Sequence, residues 1–157
     1  MTKLYIEKIN PAAFYYKDPE MIILHREDGP AIEWANGDKE WYQNGKLHRL
    51  DGPAVVRANG DKFWYQNDKC HRLDGPAVEL ANGDKEYYQN GLLHRVDGSA
   101  CEFADGNKYW YQNGQRHRLD GPAIEWSNGL YRDWETDRKS TRLNSSHSAK
   151  SRMPSSA

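Results

Sequence analysis

Five histidines, His25, His48, His71, His94 and His117, are each followed by an arginine (Arg26, Arg49, Arg72, Arg95, Arg118). Two residues further on comes an aspartate (Asp28, Asp51, Asp74, Asp97, Asp120) and then a glycine. Histidine beside aspartate is the pairing used by general acid–base catalysis and by metal sites, so this row frames the chemistry to be weighed. Catalysis needs one constellation with a nucleophile set apart, whereas here the same trio recurs in every copy. Metal sharing is disfavoured by distance: copies built of two strands lie ~9–10 Å apart, against ligand bonds near ~2 Å. The reading that fits is structural. Aspartate accepts from turn amides and pairs with arginine, histidine packs on an aromatic strand and bonds a carbonyl, and the arginines cancel repulsion among the carboxylates. No catalytic residue, cofactor or metal is expected.

The trios are the openings of a 23-residue unit written four times over residues 25–116, with a fifth copy begun at His117. A fixed period of this size predicts a stack of like units. Each unit carries two hairpin signals. One series is Asn36-Gly37, Asn59-Gly60, Asn82-Gly83, Asp105-Gly106 and Asn128-Gly129; the other is Asn44-Gly45, Asn90-Gly91 and Asn113-Gly114. Both predict type I′ turns, which need positive φ at their two central residues. Asn67-Asp68 stands where the second series has Asn-Gly, so a strained turn is expected there. The segments between turns, such as 30–34 and 39–43, are about five residues long and rich in β-formers. They predict strands, with Pro30, Pro53, Pro76 and Pro122 at strand starts where a missing N–H is tolerated. Ser99 in place of that proline is expected to matter little. The fold class is therefore all-β, an antiparallel meander solenoid with two short strands per unit.

Alternation assigns two apolar rows, Ile32, Val55, Val78, Cys101, Ile124 and Trp34, Arg57, Leu80, Phe103, Trp126. On the second strand it sets Trp41, Trp64, Tyr87 and Trp110 opposite Tyr42, Tyr65, Tyr88 and Tyr111. One face is expected to be apolar and aromatic, the other to mix tyrosine with charge. The tyrosine row, with the adjacent Gln43, Gln66, Gln89 and Gln112, is the candidate contact surface, since exposed aromatic rows mark protein interfaces. Cys70 and Cys101 replace apolar residues of the unit and are expected to be small buried hydrophobes in a reducing compartment.

The unit resembles a variant of the MORN repeat (membrane occupation and recognition nexus). Tyr42-Gln43-Asn44-Gly45-Lys46-Leu47-His48 matches the aromatic, Asn-Gly-Lys and histidine stretch of that repeat, while Arg49-Leu50-Asp51-Gly52-Pro53-Ala54 replaces its Gly-x-Gly element. The form with this replacement is similar to proteins of unassigned role from bacteriophages and giant viruses. The resemblance covers Tyr15 to Trp134 and implies a twisted, solenoid-like single sheet used for binding or scaffolding.

Residues 1–24 read as a cap built on a degenerate copy, residues 25–135 as the array, and residues 136–157 as a disordered, non-native tail. Residues 137–147 and 151–157 resemble the in-frame translation of a sequencing-library adapter, so the natural gene is expected to have been cut inside its fifth copy. That tail holds five basic residues (Arg138, Lys139, Arg142, Lys150, Arg152) and one acid, Asp137. Without it the chain has 17 basic and 22 acidic residues, a net charge of −5 where the whole has −1. An acidic body argues against general nucleic-acid binding and against an anionic membrane surface. No signal peptide and no membrane-spanning run is legible, so a cytoplasmic protein is expected, in the host cytoplasm if viral. The function expected is a non-enzymatic scaffold that binds another protein, with homodimerisation through open sheet edges as a further route to assembly. Two alternatives are carried: a phage-encoded inhibitor of a host defence system, acting on a complex or on its signalling nucleotide, and a carbohydrate-stacking module on the tyrosine row.

Overall fold

A computed structural model describes residues 5–9 and 12–132 of the chain; the tail and the end of the fifth copy, for which expectations were set out above, lie outside these. The described residues form an all-β meander with no helix. Twelve strands pair antiparallel in one long sheet, beginning with Tyr5–Ile9 and Ala12–Tyr16 and then taking two strands from each copy, such as Ile32–Trp34 and Lys39–Glu40. The five-residue strand expected over 39–43 is broken at Trp41. Its second half, Tyr42–Gln43, turns back onto Lys46–Leu47 as a separate hairpin, and the next three copies repeat this. Each copy thus has four very short strands: two extend the sheet and two make a satellite hairpin.

The satellite hairpins are stitched to one another along the same axis. The Asp68 N–H donates to Leu47 O at 3.0 Å and the Arg49 N–H to Tyr65 O at 3.1 Å, and the other copies repeat the bonds. The two Asn-Gly series differ in conformation. Asn44 and Gly45 have φ of 53° and 76°, the expected type I′ turn. In the first series only the glycine is left-handed (Gly37, φ 97°), because the Gly37 N–H donates to Trp34 O while the Asn36 carboxamide accepts from Asp38 N. That is a type I turn followed by a glycine bulge, not type I′. Its aspartate staples copies together: Asp38 Oδ1 accepts from Ala58 N and Asp61 Oδ1 from Ala81 N, each at 2.7 Å. These backbone bonds lead the causes that hold both carboxyls below the usual range. In the fourth copy Asp105 and Asn107 have exchanged positions, and Asn107 Oδ1 makes the same staple to Ser127 N.

Register settles the faces. Ile32 pairs with Glu40, Glu40 with Val55, Val55 with Phe63 and Phe63 with Val78, so these share one face. The other face is a ladder of Glu33, Lys39, Val56, Lys62, Glu79 and Lys85. The core is thin. It consists of Ile32, Val55, Val78, Cys101 and Ile124, as expected, together with the alanine of every copy (Ala31, Ala54, Ala77, Ala100, Ala123), which is wholly buried. Among the described residues no large side chain is fully buried, and Trp34 remains exposed. Arg57, in the Trp34 row, pairs with Glu40 at 2.8 Å. Ser99 is buried, and its hydroxyl donates to Glu102 while its carbonyl keeps the contact that proline makes elsewhere.

Residues 12–24 repeat the pattern of the unit. His25 N donates to Tyr15 O as His48 N does to Trp41 O, Phe14 pairs with Ile32 as Glu40 does with Val55, and Tyr16 bridges Leu24 as Tyr42 pairs with Leu47. A longer loop replaces its Asn-Gly turn and is closed by Asp18, whose carboxylate accepts from Ile22 and Ile23.

Candidate functional site

The chemistry-bearing residues gather in the loops that follow each satellite hairpin, and arginine is the hub of each loop. Its Nε donates to the aspartate two residues on, at 2.8–3.1 Å, and its Nη1 to the carbonyl four residues on, at 3.1–3.3 Å. Nη1 also reaches a glutamate of the charged ladder: Glu33, Glu79, Glu102 and Glu125 for Arg26, Arg72, Arg95 and Arg118. In the second copy that place is taken by Val56, which offers Arg49 no carboxylate. Each guanidinium lies over a ring, 3.9–4.2 Å from its centroid: Tyr15, Trp41, Trp64, Tyr87 and Trp110 in order. On its other side sits the glycine of Asp-Gly, where an added Cβ would fall 2.8–3.1 Å from the guanidinium carbon. The glycine is therefore demanded by the stacked arginine and not by backbone torsion.

The expected pairing of arginine with aspartate is present in all five loops. The hydrogen bond from arginine is the leading cause that holds Asp28, Asp51, Asp74 and Asp97 below the usual carboxylate range. Histidine differs from the expectation. Its Nδ1 accepts the backbone N–H of Asn44, Asn67, Asn90 or Asn113 in place of donating to a carbonyl. The ring is thus a clamp on the type I′ turn nineteen residues away. Among the described residues no group of three or more His, Cys, Asp or Glu could hold a metal ion.

The tyrosine row lies on the side of the core. Tyr42, Tyr65, Tyr88 and Tyr111 are half-buried, and the hydroxyls of Tyr42 and Tyr88 donate to Glu40 and Glu86. Burial first, and then the neighbouring carboxylate, pushes the Tyr42 phenol up to about 12 and raises that of Tyr88. The Trp41 row lies on the charged-ladder face, the reverse of the expectation that set tyrosine with charge and tryptophan with the apolar rows. Register puts Lys39 on the ladder face and Glu40 on the core face, so Trp41 follows Lys39 and Tyr42 follows Glu40, and the indole ring packs on arginine instead of the core. Cys70 and Cys101 are free, and burial followed by Glu86 pushes both thiols up to about 12.

What sequence reading missed is the residue between arginine and aspartate. Glu27 holds that place in the first copy, and then Leu50, Leu73, Val96 and Leu119 hold it, 75–90% exposed. An aliphatic side chain held between two charged residues in copy after copy was the available signal. Two clefts open between successive loops. One, of ≈ 510 Å³, has Val96 and Leu119 in its walls with Trp110 and Gln112 in its lining; the next, of ≈ 390 Å³, has Leu73 and Val96 with Tyr87 and Gln89. Gln89 and Gln112 are thus brought to the clefts, while their tyrosine neighbours face the core.

Protein-family models, curated proteins and solved structures all return no match. The geometry of the loops therefore carries the functional reading.

Proposed function

We propose that this chain is a non-catalytic repeat scaffold that binds another protein along the edge made by its His-Arg-x-Asp-Gly loops. The observation that carries this reading is the stripe of Leu50, Leu73, Val96 and Leu119, exposed at the same place in consecutive copies. Single exposed aliphatics are ordinary on protein surfaces; a regular row of them, joined to clefts lined by rings, is what a docking surface looks like. Burial of one such side chain against a partner contributes roughly 1.5–3 kcal/mol, so the row of four supplies roughly 6–12 kcal/mol against the cost of association. The guanidinium stacks hold the loops in place, which limits the ordering entropy lost on binding. The resemblance to MORN repeats points the same way, toward scaffolding.

The stripe shifts the contact surface from the tyrosine row to the loop edge. Selection from a display library of random peptides and small domains tests it. The expected result is binders that are enriched on the wild type and lost on a Leu73→Ser, Val96→Ser, Leu119→Ser variant of unchanged thermal stability. Absence of enrichment, or binders indifferent to the triple substitution, would overturn the reading.

A further inference from the structure

We infer, resting on that docking edge, that its ligand is a basic segment in the polyproline II conformation, apolar at every third residue. The two clefts lie between three consecutive loops and Val96 is a wall of both, so a ligand in one runs directly into the next. Each copy adds two strands to the sheet, which sets the period of the edge at about 9.6 Å.

A polyproline II helix has three residues per turn and rises about 9.3 Å per turn, so every third side chain returns to the same side almost in step with the clefts. An extended β-strand reaches a similar distance in three residues, about 10 Å, but an odd step turns the side chain to the opposite face. An α-helix regains the same face after seven residues, about 10.5 Å. From one cleft to the next the mismatch is about 0.3 Å for polyproline II and about 0.9 Å for the helix. Ring floors at Tyr87 and Trp110 suit proline, and Gln89 and Gln112 offer amide donors to a backbone whose carbonyls are otherwise unbonded.

Charge sets the rest. The carboxylates of Asp51, Asp74, Asp97 and Asp120 are 79–84% exposed along the rim, one per copy, beyond their arginines. Their arginines are engaged inward by stacking, and three of those four, Arg72, Arg95 and Arg118, also bind ladder glutamates. The ligand therefore meets acid at the rim, and lysine or arginine beside each apolar residue complements it.

The test is fluorescence anisotropy on the full chain with three labelled peptides of equal charge: (Pro-Pro-Arg)4, a shuffled peptide of the same composition with uneven arginine spacing, and a helical Leu/Lys peptide of seven-residue period. The expected result is saturable binding of the triplet peptide at least tenfold tighter than either control. It should weaken about tenfold in Val96→Ser or Leu119→Ser, and lose salt dependence in Asp97→Asn with Asp120→Asn. Equal binding of triplet and shuffled peptides, or no binding, would sink the ligand class. Preference for the helical peptide that is lost in Val96→Ser would also sink it while leaving the docking edge standing, and the display selection judges that edge independently.

Discussion

The guanidinium carbon of Arg72 lies 4.2 Å from the centroid of the Trp64 ring and, on its other side, within 2.9 Å of where a Cβ on Gly75 would stand. Ring, arginine and glycine make a sandwich that recurs in every copy and joins the loop to the sheet. Gly75→Ala is expected to push the guanidinium off the ring and cost about 1 kcal/mol, the value of a partly exposed cation–π contact. In an Arg72→Met background the same alanine has nothing to displace, so its cost should vanish. A double-mutant cycle by denaturant unfolding reads this as a coupling of roughly 0.5–1 kcal/mol, and zero coupling would refute the sandwich.

Asp68 occupies a left-handed position, φ 64°, that is glycine in its sister turns. Its carboxylate repays part of that strain by accepting from Leu47 N at 2.8 Å, while its own N–H donates to Leu47 O. Asp68→Gly is expected to be nearly neutral, since relief of about 1 kcal/mol of strain offsets a bond of similar size. Asp68→Ala keeps the strain and loses the bond, so it should destabilise by about 1–2 kcal/mol; Asp68→Asn keeps the acceptor and should match the wild type. Thermal midpoints of the three variants give the ranking, and an alanine variant as stable as the asparagine one contradicts it.

The loop aspartates predict a pH dependence. Arginine holds Asp28, Asp51, Asp74 and Asp97 below their ordinary value of 3.8 in the folded chain. Unfolded aspartate therefore binds protons first as pH falls, and stability drops. The contribution is complete above about pH 5, begins to fail near pH 4 and is lost as pH passes down through the lowered folded values. Melting temperature measured from pH 7 to pH 2 should be flat and then fall below pH 4. Asp51→Asn, Asp74→Asn and Asp97→Asn together should flatten that fall; an unchanged slope would place the acid sensitivity elsewhere.

Val56 breaks the charged ladder between Lys39 and Lys62 and takes the place from which a glutamate reaches arginine in the other four copies. Val56→Glu is expected to restore the contact with Arg49 and to gain two cross-strand lysines, stabilising the chain by about 0.5–1 kcal/mol at low salt. The gain should shrink in 1 M salt. A loss of stability at low salt would show that the valine packs usefully there.

Legibility was uneven for identifiable reasons. The meander, the Ile32 row of the core, the degenerate cap around Tyr15 and the strain at Asp68 all follow from period, alternation and turn chemistry, which are local. The alanines of Pro-Ala and Ser-Ala were not recognised as core, because a methyl group signals nothing until two backbones close on it. The carboxylate staple from Asp38 to Ala58 and the histidine clamp on the Asn44 turn were hidden as well, since each joins residues about twenty positions apart.

By itself the chain of residues determined that like units would stack as antiparallel hairpins, because a period of 23 with paired turn signals has few other ways to bury its small apolar rows. Only the tertiary structure decided which side those units turn outward. Each arginine lies over its ring on the charged face, the tyrosines turn toward the core with Glu40 and Glu86, and Leu50, Leu73, Val96 and Leu119 are left in water. Alternation separates the two faces of a strand but does not say which of them is the core; that depends on cross-strand register and on the loop arginine that stacks on each ring.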